Sequence, residues 1–170
     1  MSDPSKTIYG EINPGAPAEL RAFSFLIGKW NGQGRTKLPD GTTAEFPVTW
    51  IGRYILDGNA ISDEMHAATP DGSPYLGISL RTYDSAGKAW IIEYLNVSGS
   101  FLRKQVSATY GSVELSGRNV TVSSEAPGTQ IREHYLVPDE HGWTYRLDTS
   151  SDGGKSWSSG QIEMTFHRVE

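Results

Sequence analysis

From Lys29 onward the chain repeats one pattern: a β-rich run with apolar residues at every second position, a Gly/Asp/Pro/Ser turn, then another run. The clearest turns are Pro39-Asp40-Gly41, Asp57-Gly58-Asn59, Pro70-Asp71-Gly72, Asp84-Ser85-Ala86-Gly87 and Ser98-Gly99-Ser100. They continue at Ser116-Gly117-Arg118-Asn119, Ala126-Pro127-Gly128, Asp139-Glu140-His141-Gly142 and Ser151-Asp152-Gly153-Gly154. Asp-Gly and Gly-Ser pairs tolerate the positive φ that tight hairpins require. The spacing predicts an all-β chain of about ten sequential antiparallel strands. An open twisted sheet of that length would leave long edges exposed to aggregation, so the meander is expected to close as an up-and-down barrel or to split into two sheets.

Period-two alternation assigns faces. In the second strand Ala44, Phe46, Val48, Trp50, Gly52, Tyr54 and Leu56 form the better inner set. The same test puts Leu76, Ile78 and Leu80 inside on one strand, and Ile162, Met164 and Phe166 inside on the last. Trp90, Ile92, Tyr94 and Asn96 oppose Ile91, Glu93, Leu95 and Val97, and either set suits burial. A helix of about two turns is expected over Ala18–Phe23, with Pro17 suited to a first helical position. Residues 1–15 read as a polar tail, and residues 16–170 as a single barrel domain.

At 170 residues one domain can bury a sizeable core. With no cysteine, disulfides, thiolate metal sites and cysteine nucleophiles are excluded. The start Met1-Ser2-Asp3-Pro4 has neither a basic nor an apolar leader region, and no run approaches the ~20 apolar residues of a membrane helix, so a cytoplasmic protein without membrane association is expected. Net charge is −5 and the basic residues are scattered singly, which argues against nucleic acid as a partner. A homodimer stays open.

Gly28-Lys29-Trp30-Asn31-Gly32-Gln33-Gly34, after the short helix, resembles the Gly-x-Trp opening of calycins, in its Gly-x-Trp-x-Gly-x-Gly form in nitrobindin-like barrels. If Trp30 plugs a closed end, Gly32 and Gly34 share its face and would leave space above it. In calycins a basic residue on the final strand lies across that Trp, a role that Arg168 fits. Ser150-Ser151-Asp152-Gly153-Gly154-Lys155-Ser156-Trp157 matches an Asp-box, a structural hairpin. With Arg53-Tyr54-Ile55-Leu56-Asp57-Gly58, these features resemble the bacterial domain-of-unknown-function 1579 family over about residues 18–169, which implies a calycin-like (lipocalin or nitrobindin-like) barrel and no particular activity.

No hydrolase elbow, zincin motif or phosphate loop occurs. The polar strand residues that remain are Asp63, Glu64 and His66; Tyr83; Glu93, Tyr94 and Asn96; Arg103 and Gln105; Arg132, Glu133, His134 and Tyr135; Tyr145 and Arg146. Glu64 shares a face with His66, and His134 with Arg132. Pointing inward they would make an acid/base set, because burial raises a carboxylate pKa and lowers that of His; pointing outward they are ordinary surface residues. Trp50, Tyr54, Tyr94, Arg132, Tyr145 and Met164 are the expected ligand-binding residues, since Tyr combines an apolar body with a polar tip. The spacing supports no metal site. Nitrobindin-like barrels hold haem through a histidine near the C-terminus, but His167 alternates out of step with Met164 and Phe166, so no cofactor is expected. Three functions follow, in this order: a binding barrel for a small apolar or aromatic molecule; a cofactor-independent isomerase, lyase or cyclase using Glu64, His66 or His134; and, ranked last, a haem-binding nitrobindin-like protein.

Overall fold

In the computed structural model the meander forms as strands β1 (Gly28–Lys37), β2 (Thr43–Ile55), β3 (Ala60–Ala68), β4 (Pro74–Asp84), β5 (Ala89–Ser98) and β6 (Phe101–Ala108). It continues as β7 (Ser112–Ser116), β8 (Asn119–Ala126), β9 (Thr129–Leu136), β10 (Gly142–Ser150) and β11 (Ser158–Arg168). The structure describes residues 8–69, 71–98, 101–108, 112–126 and 128–169, and for residues 98, 101–108 and 126 the backbone alone. Gly99 and Ser100 of one expected turn, Pro70 and Pro127 of two others, and the side chains of Arg103 and Gln105 lie outside this set.

The strands form one antiparallel sheet in the order β6-β5-β4-β3-β2-β1-β11-β10-β9-β8-β7. Every neighbouring pair is antiparallel, so β6 and β7 at the two ends run in the same direction. β6 pairs with β5 and β7 with β8, and the two ends of the sheet approach each other across this seam. Together β6 and β7 occupy one position in a nearly closed ten-position barrel, as the turn spacing predicts.

One end of the barrel is sealed. The helix after Pro17 is a 3-10 helix spanning Ala18–Leu26, longer than the sequence suggested, and it inserts Leu20, Phe23 and Leu26 fully into the core. Gly52 makes this possible: a Cβ there would run into the Leu26 carbonyl, so only glycine lets the helix end lie on β2. Trp30 is buried and donates through Nε1 to the Leu26 carbonyl at 3.0 Å. Arg168 lies over the Trp30 ring, 4.1 Å from its centroid, and donates to the carbonyls of Glu140 (3.0 Å) and Ile27 (3.2 Å). Trp143 stacks on Phe166 at 4.1 Å and meets Trp30 and Trp50 edge-on, completing an aromatic floor.

Two face assignments from sequence are corrected, one open alternation is resolved, and one expected space is filled. On β4 the inward residues are Tyr75, Gly77, Ser79, Arg81 and Tyr83, while Leu76 and Leu80 stand outside, 39% and 41% exposed, with Ile78 on the same outer side. The cause is a buried Asp63–Arg81 ion pair, which makes the inner face of β4 the polar one and inverts the usual alternation. Leu56 leaves the strand: it has φ 51° in the β2–β3 turn and is exposed. On β5 the undecided alternation resolves with Trp90, Ile92, Tyr94 and Asn96 inside. Gly32 and Gly34 leave no void above Trp30, because the Phe166 and Phe46 rings fill the room where their Cβ atoms would be.

Residues 8–15 are draped over the domain. The Tyr54 amide donates to the Tyr9 carbonyl at 2.8 Å and the Asn13 amide to the Gly58 carbonyl at 3.1 Å, fastening this stretch to the β2–β3 hairpin.

Candidate functional site

Inward-facing side chains fall into two groups along the barrel axis. Near the floor, Trp30, Ile61, Asp63, Arg81, Ile92, Val120, Val122, Tyr135, Trp143 and Phe166 are all at most 2% exposed. Towards the other end, Phe46, Met65, Ala67, Tyr75, Tyr94, Ile131, Glu133, Leu147 and Ile162 lie in phase with them on the same inner face yet keep accessible surface. These accessible inward residues lie in the half of the barrel away from the helix. Trp50, Tyr145 and Met164, each under a tenth exposed, form its base.

Three polar groups serve this interior. Arg81 donates through Nε to Asp63 Oδ2 at 2.7 Å, through Nη2 to Ser79 Oγ at 3.3 Å, and through Nη2 to the Tyr135 hydroxyl at 3.4 Å. Burial alone would lower the guanidinium pKa, but the charge of Asp63 and its hydrogen bond outweigh that and hold it well above the ordinary value.

The second group is Tyr94, Tyr75 and Asn96. The two hydroxyls are 2.7 Å apart and Asn96 donates to Tyr75 at 3.1 Å. Burial, and then the neighbouring Tyr75, push the Tyr94 pKa up, so this phenol stays neutral. Gly77 makes the arrangement possible, since a Cβ there would meet the Tyr94 ring at 2.9 Å.

Glu133 is the third. The Tyr145 hydroxyl donates to its Oε1 at 2.9 Å. It is partly buried on the inner face of β9. Burial raises its pKa, and the charge of Arg81 and the Tyr145 hydrogen bond offset this only in part.

The residues singled out from sequence divide accordingly. Trp50, Tyr94, Tyr145 and Met164 come together on the inner wall. Tyr54 also faces inward, but at the sealed end under Tyr9 and Gly10; burial raises its pKa. Glu64 and His66 are on the outer wall, where Arg53 donates to Glu64 at 3.0 Å and His66 lies 3.4 Å from it. Arg132 and His134 are outside too. Arg132 covers the Trp157 ring at 3.9 Å. His134 bridges Thr121 (3.3 Å) and Asp148 (3.1 Å). Burial and Arg146 lower the His134 pKa, with Asp148 opposing. Both pairs share a face as expected, but that face is the exterior, and the acid/base geometry they would need inside the barrel does not form. His167, exposed and opposite Asn31, points outward as its phase implies.

Two features lie away from the interior. The Asp-box closes as a hairpin: Asp152 accepts from the Ser156 amide (2.9 Å) and hydroxyl (2.6 Å), and Trp157 donates to the Gly154 carbonyl at 3.1 Å. A groove of about 350 Å³ lies outside the floor beside Arg21, Arg118 and Arg168, with Asp139 and Glu140 balancing their charge. Arg168 is already committed to Trp30 and two carbonyls, so the groove is a weaker ligand candidate than the interior.

Tyr75 and Arg81 are interior residues that sequence reasoning did not single out, and Glu133 was named among the polar strand residues without a role in the site. For Glu133 a signal existed: Ile131, Tyr135 and Val137 share its phase, and their apolar character marks that side of β9 as inner.

Comparison with known proteins agrees with the fold. The model of the family described as "Protein of unknown function (DUF1579)" matches residues 17–168. The crystal structure of Rv2717c from M. tuberculosis is similar with a TM-score of 0.58 at 15% identity, covering 91% of this chain and 99% of that one. The S-type phycobiliprotein lyase CPES from Guillardia theta is similar with a TM-score of 0.54 at 8% identity, covering 88% and 92%. At such identities the likeness shows the shared fold alone. Curated proteins gave no match.

Proposed function

This chain belongs to the DUF1579 family, and we propose that it binds a small molecule with an apolar or aromatic body inside the half of the barrel away from the helix. The observation that carries the reading is the accessible inner wall above a sealed aromatic floor. Phe46, Met65, Leu147 and Ile162 offer apolar surface there, while Tyr94 and the Glu133–Tyr145 pair offer a few fixed polar contacts, the usual composition of a small-molecule site. One protein sharing the frame is named a phycobiliprotein lyase, which agrees with small-molecule work for such a barrel without naming the ligand here. An acid/base enzyme in this space would use Glu133, since Glu64, His66 and His134 lie outside.

The test is a titration of the purified chain with 1-naphthol, alongside an Ala67→Trp variant. Ala67 faces the space between Val48 and Tyr75, so an indole there should fill it. Saturable one-to-one binding that is lost in Ala67→Trp, with a cooperative melt retained, supports the reading. Equal binding by both proteins would place the probe elsewhere and refute it.

A further inference from the structure

Among the described residues the inner wall carries three side chains that can bear full charge near neutral pH: Asp63, Arg81 and Glu133. Asp63 and Arg81 answer each other through hydrogen bonds of 2.7 and 3.5 Å. Glu133 receives one neutral donor, the Tyr145 hydroxyl, and has no cationic side chain within ion-pair distance among the described residues. A desolvated carboxyl on the inner wall, whose nearest cation is hydrogen-bonded to Asp63 instead, is a site for an incoming positive charge.

We propose that the interior selects ligands carrying a protonated nitrogen, as an amine, amidinium or protonated heterocycle on an apolar body, with that nitrogen held against the Glu133 carboxylate. The proposal rests on the interior-binding reading above and names its ligand class. Among the described residues, Asp63, Arg81 and Tyr94 on β3, β4 and β5, Tyr145 on the adjacent β10 and Tyr135 on β9 itself are the charged and titratable groups around Glu133. Of these, Arg81 is paired with Asp63 but acts on Glu133 more strongly than Asp63 does, and the Tyr94 phenol stays neutral. Burial raises the Glu133 pKa, and a cation docked against the carboxylate would lower it again.

Two isosteric probes test this on the full chain: 1-naphthylmethylamine, protonated at neutral pH, and 1-naphthylmethanol. The amine should bind at least about tenfold more tightly, a difference of about 1.4 kcal/mol. In Glu133→Gln, which keeps an acceptor for Tyr145, the preference should fall below about threefold with alcohol affinity unchanged, whereas Glu64→Gln on the outer wall should leave it intact. On the unmodified protein, the preference for the amine over the alcohol should shrink as the pH is lowered and the Glu133 carboxylate is protonated, while the alcohol affinity stays constant. This readout holds even if Glu133→Gln fails to fold. Equal affinity for the two probes, or a preference that survives in Glu133→Gln, overturns the ligand class while leaving interior binding standing. Failure of both probes to bind overturns the interior reading and the inference with it.

Discussion

Arg81 and Asp63 face each other inside the barrel at 2.7 Å, each side chain only 2% exposed, and the Arg81 guanidinium lies 4.9 Å from the Phe23 ring of the sealing helix. The pair thus joins β3, β4 and the plug. Two buried charges stabilise little compared with well-packed apolar residues, but removing one strands the other. Asp63→Asn or Arg81→Met alone should lower stability by about 3 to 5 kcal/mol in urea unfolding, and Asp63→Leu with Arg81→Met should recover most of the loss. Single variants within about 1 kcal/mol of the parent protein would show that the pair is hydrated.

Trp30 and Arg168 close the floor from the other side. Trp30→Ala should cost about 3 to 5 kcal/mol, the scale of large-to-small core changes. Arg168→Lys should also lower the melting temperature, because a lysine cannot reproduce the stacked, forked contact with the Trp30 ring and two carbonyls. An unchanged melt for Trp30→Ala would remove the floor from this account.

On the outer wall, Asp148 accepts from Arg146 (2.9 and 3.0 Å), Ser159 (2.9 Å), the Gly160 amide (2.9 Å) and His134. Burial pushes its pKa up, but these donors, the Gly160 amide foremost, win and hold it at about 2 against an ordinary 3.8. A depressed folded-state carboxylate stabilises fully above its unfolded value, so this contribution should be lost as pH falls from about 4 through about 2. Asp148→Asn should flatten that part of the acid unfolding curve. His134, held below the ordinary 6.5 first by burial and then by Arg146, should titrate low by NMR, and an interior ligand should leave its curve unmoved. Loss of stability in the acid range identical to that of Asp148→Asn would deny Asp148 its role.

The barrel was legible because its determinants are local. Asp-Gly turns, alternation on β2 and β11, and the Gly-x-Trp opening each act over a few residues and agree with one another. The interior was less so. On β4 alternation favours Leu76, Ile78 and Leu80, and only the cross-strand partner of Arg81 reverses that choice, a long-range contact invisible to a local period. Glu64, His66, Arg132 and His134 were correctly paired by face, but which face is inner depends on register with neighbouring strands. Glu133 was readable from the apolar residues in phase with it, though its lack of an ion-pair partner was not.

The central claim is an accessible space above a sealed floor, and the methionine methyl groups report on it directly. Of the chain's three methionines, Met65 borders the space and Met164 lies at its base, while Met1 belongs to the N-terminal segment. In a methyl-labelled sample titrated with 1-naphthol, the Met65 resonance should shift saturably, with Met164 following and Met1 fixed. Binding that leaves Met65 unmoved, or no binding at all, would contradict the account.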